Sequence, residues 1–279
     1  MYELTLNQLR GDGDARRRNM ASRLRFPAPR RWFCDTLPPM AAALVFLALV
    51  LSEFSLPARA LVGRGKARLL NLSAAVFNGL ALRLLLPAGL ATWAGIATTQ
   101  LGREPLPFWA GFLLLDFALY LQHWACHRYP ILWRLHAAHH SDSELDVTTG
   151  LRFHPFEAVA SALWKGAVIV TFGIGINTVW VFEVVLMAAS CFSHANIRWS
   201  GRAAQWLDQV WMTPACHRVH HSLSPASQRR NLAFGITVWD RLFGTWSAAN
   251  NAGAVGLSED IGGDSDKLRK FLVFPFIIK

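Results

Sequence analysis

All ten histidines of this 279-residue chain fall between His123 and His221, and none lies outside. They arrive in groups: His123 and His127 form HxxxH, His136 with His139 and His140 forms HxxHH, and His217 with His220 and His221 forms a second HxxHH. His154 and His194 stand alone between the last two groups. Residues three or four apart on an α-helix project from one face, so each group is expected to aim two or three imidazoles at a common point. A buried imidazole needs a polar partner, and three groups of them in apolar surroundings need more partners than such surroundings supply. Metal ligation resolves this. So many imidazoles exceed the needs of one tetrahedral zinc, which predicts two ions held close together, with iron the usual occupant.

The surroundings are apolar because 53% of the chain is hydrophobic and only 16% is charged. An all-α integral membrane protein is expected, with four to five hydrophobic helices and a cytoplasmic, histidine-rich helical cap. The net charge of +10 does not imply nucleic-acid binding, since the basic residues flank apolar runs. Membrane orientation and anionic headgroups account for them better. Four cysteines without a CxxC pair fit a reducing compartment. Cys126 and Cys216 each precede a clustered histidine, but a neighbouring residue on a helix points about 100° away, so both read as small packing residues.

Residues 1–37 read as a basic mobile arm, 38–246 as a membrane-embedded domain carrying the histidines, and 247–279 as a flexible linker with an apolar docking tail. The first apolar run starts at Met40, too late for a cleavable signal, and 40–61 reads as re-entrant or interfacial. Further apolar segments occupy 69–97 and 105–126. Segments 157–175 and 177–193 form a membrane hairpin turning at Gly173, Gly175 and Asn177. A hairpin returns to the side it left, so the histidines before and after it share one membrane face. The basic group Arg59, Arg64, Lys66 and Arg68 shares that side and predicts it to be cytoplasmic.

In the third segment Asp116, Tyr120, His123 and His127 form one helical stripe, which casts Asp116 and Tyr120 as groups that orient the His123 ring. Glu183, eleven residues before His194, is expected to serve His194 likewise. Asp142 and Asp146 either accept from ligand imidazoles or cap a helix, and Asp240 with Arg241 locks the end of the cap. Arg128, Arg134, Arg152, Arg218, Arg229 and Arg230 lie near the histidines and suit a lipid headgroup, an acidic redox partner or plain interfacial anchoring.

The stretch HRYPILWRLHAAHHSDSELDVTTGLRFHPFE at 127–157, with MTPACHRVHHS at 212–222 and WDRLFGTW at 239–246, resembles the fatty acid hydroxylase and sterol desaturase superfamily of membrane di-iron enzymes. The likeness covers roughly 107–246 and rests on three ordered histidine boxes. It implies an oxygenase that uses two irons, O2 and two electrons to hydroxylate or desaturate a C–H position of a sterol, fatty acyl or related membrane lipid. By position it implies His123 and His127 as the first box, His136, His139 and His140 as the second, and His217, His220 and His221 as the third. His194 in SHANIRW matches a further ligand, and His154 in RFHPFE is either a ligand or a hydrogen-bond partner of one. The chain departs from the family at Ala215 and Cys216, where Asp-Met is frequent, and at Asn231 to Gly235, where an Asn-Tyr-Gly motif is frequent. With no dinucleotide fingerprint in the sequence, electrons are expected from an external b-type cytochrome, ferredoxin or rubredoxin with its reductase. A bacterial inner membrane is the expected location. Rival readings are a histidine-rich metal transporter, which needs ligands along a path at mid-membrane depth, and a zinc-dependent membrane hydrolase, which typically needs a base as in the absent HExxH.

Overall fold

The computed structural model describes residues 31–61, 63–86, 89–249, 253–258 and 267–278, with side chains from Met40 onward. Most of the expected basic arm, residues 1–30, lies outside the described residues. Its end is helical, because α1 runs Arg31–Ser55. Next come α2 (Gly65–Leu85), α3 (Gly89–Gly95) with a π turn to Gln100, α4 (Phe108–Arg128), α5 (Pro130–His140) and a 3-10 turn at Val147–Leu151. They are followed by α6 (Pro155–Phe172), α7 (Ile176–His194), α8 (Arg202–Val210), α9 (Pro214–His220), α10 (Val238–Leu242) and α11 (Leu268–Ile277). Extended pairing among the described residues is limited to isolated bridges such as Trp211 with Ile236 and Ser222 with Val255.

Among the described residues, three stretches are long and apolar enough to cross a membrane: Gly65–Gln100, Pro155–Phe172 and Ile176–His194. That is fewer than the four to five expected. α4 has the length but carries Asp116, Gln122, His123 and His127 on it, and the apolar part of α1, Met40–Ser55, is short. The α6–α7 hairpin forms where expected. Gly173 closes α6 in the left-handed conformation at φ 68°, its N–H returning to the Ile169 carbonyl, a geometry that costs an L side chain and suits glycine. Leu115, Ile169, Ile174, Val179 and Phe182 make the core where α4 meets this hairpin.

Helix starts place the site residues. Pro130, Pro155 and Pro214 each occupy the first turn of a helix, where a missing N–H costs nothing. The Thr213 hydroxyl caps α9 by accepting from the Cys216 N–H at 3.4 Å, and His154 caps α6 by accepting at Nδ1 from the Phe156 N–H at 3.2 Å. α11 docks on the protein: Phe271 and Phe274 are fully buried against Leu70, Ala74, Ala137 and Ala138. The described part of the expected linker is not free either. The Gly256 N–H donates to the His221 carbonyl at 2.9 Å, and Val255 and Leu257 are buried.

The basic group at 59–68 departs most from expectation. Arg64 is 7% exposed and binds Asp142 at 2.6 Å and Asp146 at 3.0 Å, while Arg68 binds Asp146 at 3.0 Å and Glu53 at 3.2 Å. Two of the four expected headgroup-facing charges are thus consumed inside the protein. The reason is local: Asp142 and Asp146 are fully buried beside the second box, and a buried carboxylate demands a cationic partner. Glu53 extends this network by accepting from the Val147 N–H at 2.8 Å and the Asn196 N–H at 3.1 Å, so the ends of α1 and α2 meet the histidine-bearing face.

Candidate metal centre

Nine buried histidines form two groups. His123, His127, His136, His140 and His220 make one, and His139, His194, His217 and His221 make the other, each with ligand atoms within 4.8 Å of one another. Both HxxHH motifs are split between the groups, against the expectation that each aims at one point. The physical reason is the helical repeat. His136 and His140, four apart, face together, while His139 is turned about 100° from His140 and faces the other group. On α9 and its end the split is reversed, with His217 and His221 in one group and His220 in the other.

Hydrogen bonds assign the tautomers. Nδ1 of His123 donates to the Leu232 carbonyl at 2.6 Å, that of His139 to the Arg152 carbonyl at 3.2 Å, that of His194 to the Ser190 carbonyl at 2.6 Å and that of His220 to the Arg230 carbonyl at 2.9 Å. His136 Nδ1 lies 2.7 Å from Glu157 Oε1. A neutral imidazole with its proton on Nδ1 offers a lone pair at Nε2, and these lone pairs converge. Nε2 of His123 and His136 lie 3.1 Å apart, and Nε2 of His139 and His194 lie 3.0 Å apart. His194 Nε2 also sits 3.1 Å from Nε2 of both His217 and His221. Lone pairs at that range repel unless a cation lies between them, and adjacent nitrogens on an octahedral ion with bonds of about 2.1 Å are about 3.0 Å apart. His140 on both nitrogens and His220 on Nε2 lack a hydrogen-bond partner. Burial holds the imidazoles of His139, His140, His217 and His221 well below the ordinary histidine range, so charge on the rings is no remedy. The donor set fits two metal ions.

Other predicted residues lie elsewhere. Asp116 and Tyr120 do not hold the His123 ring: Asp116 Oδ2 accepts from Trp239 Nε1 at 2.7 Å, and the Tyr120 hydroxyl meets Thr245 Oγ1 at 3.0 Å. They fasten α4 to α10 and its flank instead. Glu183 does not reach His194, pairing with Lys165 at 2.6 Å. His154 joins neither group, since its Nδ1 caps α6 and its Nε2 meets the Leu272 carbonyl at 3.1 Å. Asp146 caps the 3-10 turn, accepting from the Thr148 N–H at 2.9 Å. Arg152 is fully buried, donating to Ala138, Asn71 and Ser141, and faces no lipid.

Glu157 was given no role by the sequence, and Asn231 and Asp240 take roles near the rings that it did not assign. Glu157 orients His136, and its one sequence signal was its place four residues after Phe153 in RFHPFE, at a helix start. Asn231 sits at φ 54° and clasps the loop, donating to the Cys216 carbonyl at 2.9 Å and accepting from the Ser247 N–H at 2.7 Å. Asp240, expected as a lock, accepts from the Leu232 and Ala233 N–H groups at 2.7 and 3.0 Å, which fixes the Leu232 carbonyl that holds His123. Cys216 is a packing residue beside Tyr120 and Met212, whereas Cys126 lies within 4.8 Å of His136 and Glu157 ligand atoms. Beside them an apolar cavity of about 320 Å³ is lined by Leu121, Cys126, Leu135, Glu157, Ala160 and Trp164.

Residues 108–245 match the sequence model of the fatty acid hydroxylase family. An alkylglycerol monooxygenase of Danio rerio is 27% identical over 184 residues, covering 61% of this chain and 37% of that protein. An ornithine lipid hydroxylase of Rhizobium tropici is 29% identical over 136 residues, covering 49% of this chain and 40% of that protein. The chain therefore spans well under half the length of these relatives. No solved structure matches it.

Proposed function

Since residues 108–245 of this chain belong to the fatty acid hydroxylase family, we propose that it is an O2-dependent, di-iron lipid hydroxylase of the membrane. The observation that carries the proposal is the pair of adjacent histidine groups whose Nε2 lone pairs converge. Histidine-only ligation suits iron. Two irons bound there supply O2 activation and oxidation of one C–H bond, so that lipid, O2, two electrons and two protons yield hydroxylated lipid and water.

The chain's own residues position and exclude. Leu232, Arg152, Ser190 and Arg230 carbonyls, with Glu157, hold the ligand rings and fix their tautomers. The apolar cavity between α4, α5 and α6 admits a hydrocarbon chain from the bilayer, and its lining includes Glu157, whose Oε1 lies 2.7 Å from His136 Nδ1. Burial of all nine rings keeps water away from the reacting carbon. Relatives named as a monooxygenase and a hydroxylase favour hydroxylation over desaturation, and a lipid with a polar headgroup and a hydrocarbon chain over a sterol. Electrons come from a separate redox protein in this reading, and the site faces the cytoplasm, on the side of Arg59.

A transporter is disfavoured by ligands gathered at helix ends into two enclosed groups. The test is metal content with Mössbauer spectroscopy on iron-57-enriched protein in detergent, followed by incubation with O2, reductant and lipid. Two irons per chain and labelled oxygen in the lipid product are expected. A single zinc with no oxygen incorporation after iron supplementation overturns the reading.

A further inference from the structure

A second, smaller cavity of about 160 Å³ lies on the four-histidine side, lined by Arg59, His194, Trp199, Pro214 and Arg218 among others. Its chemistry is opposite to that of the apolar cavity. Arg218 Nε and Trp199 Nε1 are buried donors without an acceptor, and unmade hydrogen bonds of that kind are costly. Neither Arg59 nor Arg218 forms an ion pair among the described residues, and Arg218 has only a long 3.4 Å contact to the Gly253 carbonyl. Arg59 is close enough to act on the Arg218 charge, as is Glu144. Two cations facing a shared hollow, with an indole N–H aimed at nothing, lack an anion. That volume leaves room for a phosphate or carboxylate.

We propose that this cavity binds an oxyanion, phosphate or carboxylate in class, held between Arg59 and Arg218 with the Trp199 indole donating to it. Planar guanidinium groups match the oxygens of such anions by paired hydrogen bonds. His194 both lines the cavity and belongs to the four-histidine group, so an anion here sits beside the metal centre. That place suits the headgroup of a lipid whose chain is under attack. In taking the carrier to be a lipid, the proposal rests on the function proposed above.

The test is calorimetric titration of full-length, metal-loaded protein in uncharged detergent with dihexanoyl phosphatidic acid, inorganic phosphate and uncharged dihexanoylglycerol. Saturable binding of the phosphatidic acid is expected, weakened about tenfold by Arg59→Gln and again by Trp199→Phe, because a hydrogen bond to a charged group is worth about one decade or more. The uncharged lipid should bind equally to all forms. The Arg59 side chain is exposed, so unchanged metal content and melting temperature are expected in its variant. Equal affinity for inorganic phosphate and for the phosphatidic acid overturns the lipid source and supports a free-anion site. Absence of saturable binding, or undiminished binding in the double variant, overturns the site itself. Binding needs no turnover, so anion binding in a protein that hydroxylates nothing overturns only the proposed reaction.

Discussion

The ring of His140 stacks on the ring of His221, centroids 4.2 Å apart and planes 16° from parallel. The two belong to different ligand groups, so the five-histidine and four-histidine sets share a wall of imidazole. Metal ions held on either side of that wall would be neighbours, the arrangement that the proposed reaction with O2 calls for.

Removing one ligand from each group tests whether they are separate centres. His139→Ala takes a ligand from the four-histidine group and His220→Ala from the five-histidine group. Each variant should fall from two metal ions per chain towards one, with turnover abolished, as read by elemental analysis and product formation. Two metals and full turnover in either variant would sink the ligand assignment.

Among the ligand rings, Glu157 bonds His136. Glu157→Gln keeps a neutral acceptor and Glu157→Leu keeps none, so metal affinity should fall in that order, by about tenfold and by up to about 100-fold. Chelator competition reads the loss. Equal affinity in wild type and Glu157→Leu would show that the 2.7 Å contact does not support the ligand.

Filling the apolar cavity should act on substrate, not metal. Ala160 lines that cavity from an exposed helix position, so Ala160→Trp costs the fold little. Turnover of long-chain lipid should drop several-fold while metal content stays unchanged. Unaltered kinetics across chain lengths would place the hydrocarbon chain elsewhere.

Arg64 tests the buried ion network. Arg64→Met leaves Asp142 and Asp146 short of a cation in a site where all three residues are at most 7% exposed. Stripping one partner from a buried pair costs about 3–5 kcal/mol, a large part of a typical folding free energy. A melting temperature within a degree of wild type would contradict it.

The metal-free protein should be sensitive to acid. Burial pushes His220 down to about 3 and holds His139, His140, His217 and His221 well below 6.5. The folded chain therefore keeps these rings neutral while the unfolded chain takes up protons below about 6.5. The unfolded state binds more protons there, so stability is full above about pH 6.5 and is lost as pH falls below it. Thermal melts of chelator-stripped protein at pH 8 and pH 5.5 read the difference. A higher melting temperature at the lower pH would show that the rings are already charged in the folded state.

The sequence by itself determined that the clustered histidines are candidate metal ligands, because their number and spacing in apolar surroundings leave few other uses. It also determined the α6–α7 hairpin, since two apolar runs joined by Gly173 and Gly175 have a local signature. Only the tertiary structure decided which imidazole serves which group. The 100° step between His139 and His140 separates them, but which partner each meets depends on how α4, α5 and α9 pack. Hydrogen-bond partners were equally hidden: Asp116 and Tyr120 share a helical stripe with His123, yet spacing along one helix says nothing about Trp239 and Thr245, which come from residues more than a hundred positions away. Most of the groups that do hold the rings are backbone carbonyls, at Leu232, Arg152, Ser190 and Arg230. Every residue carries a carbonyl, so no residue type announces that role, and only the folded chain selects the four that perform it.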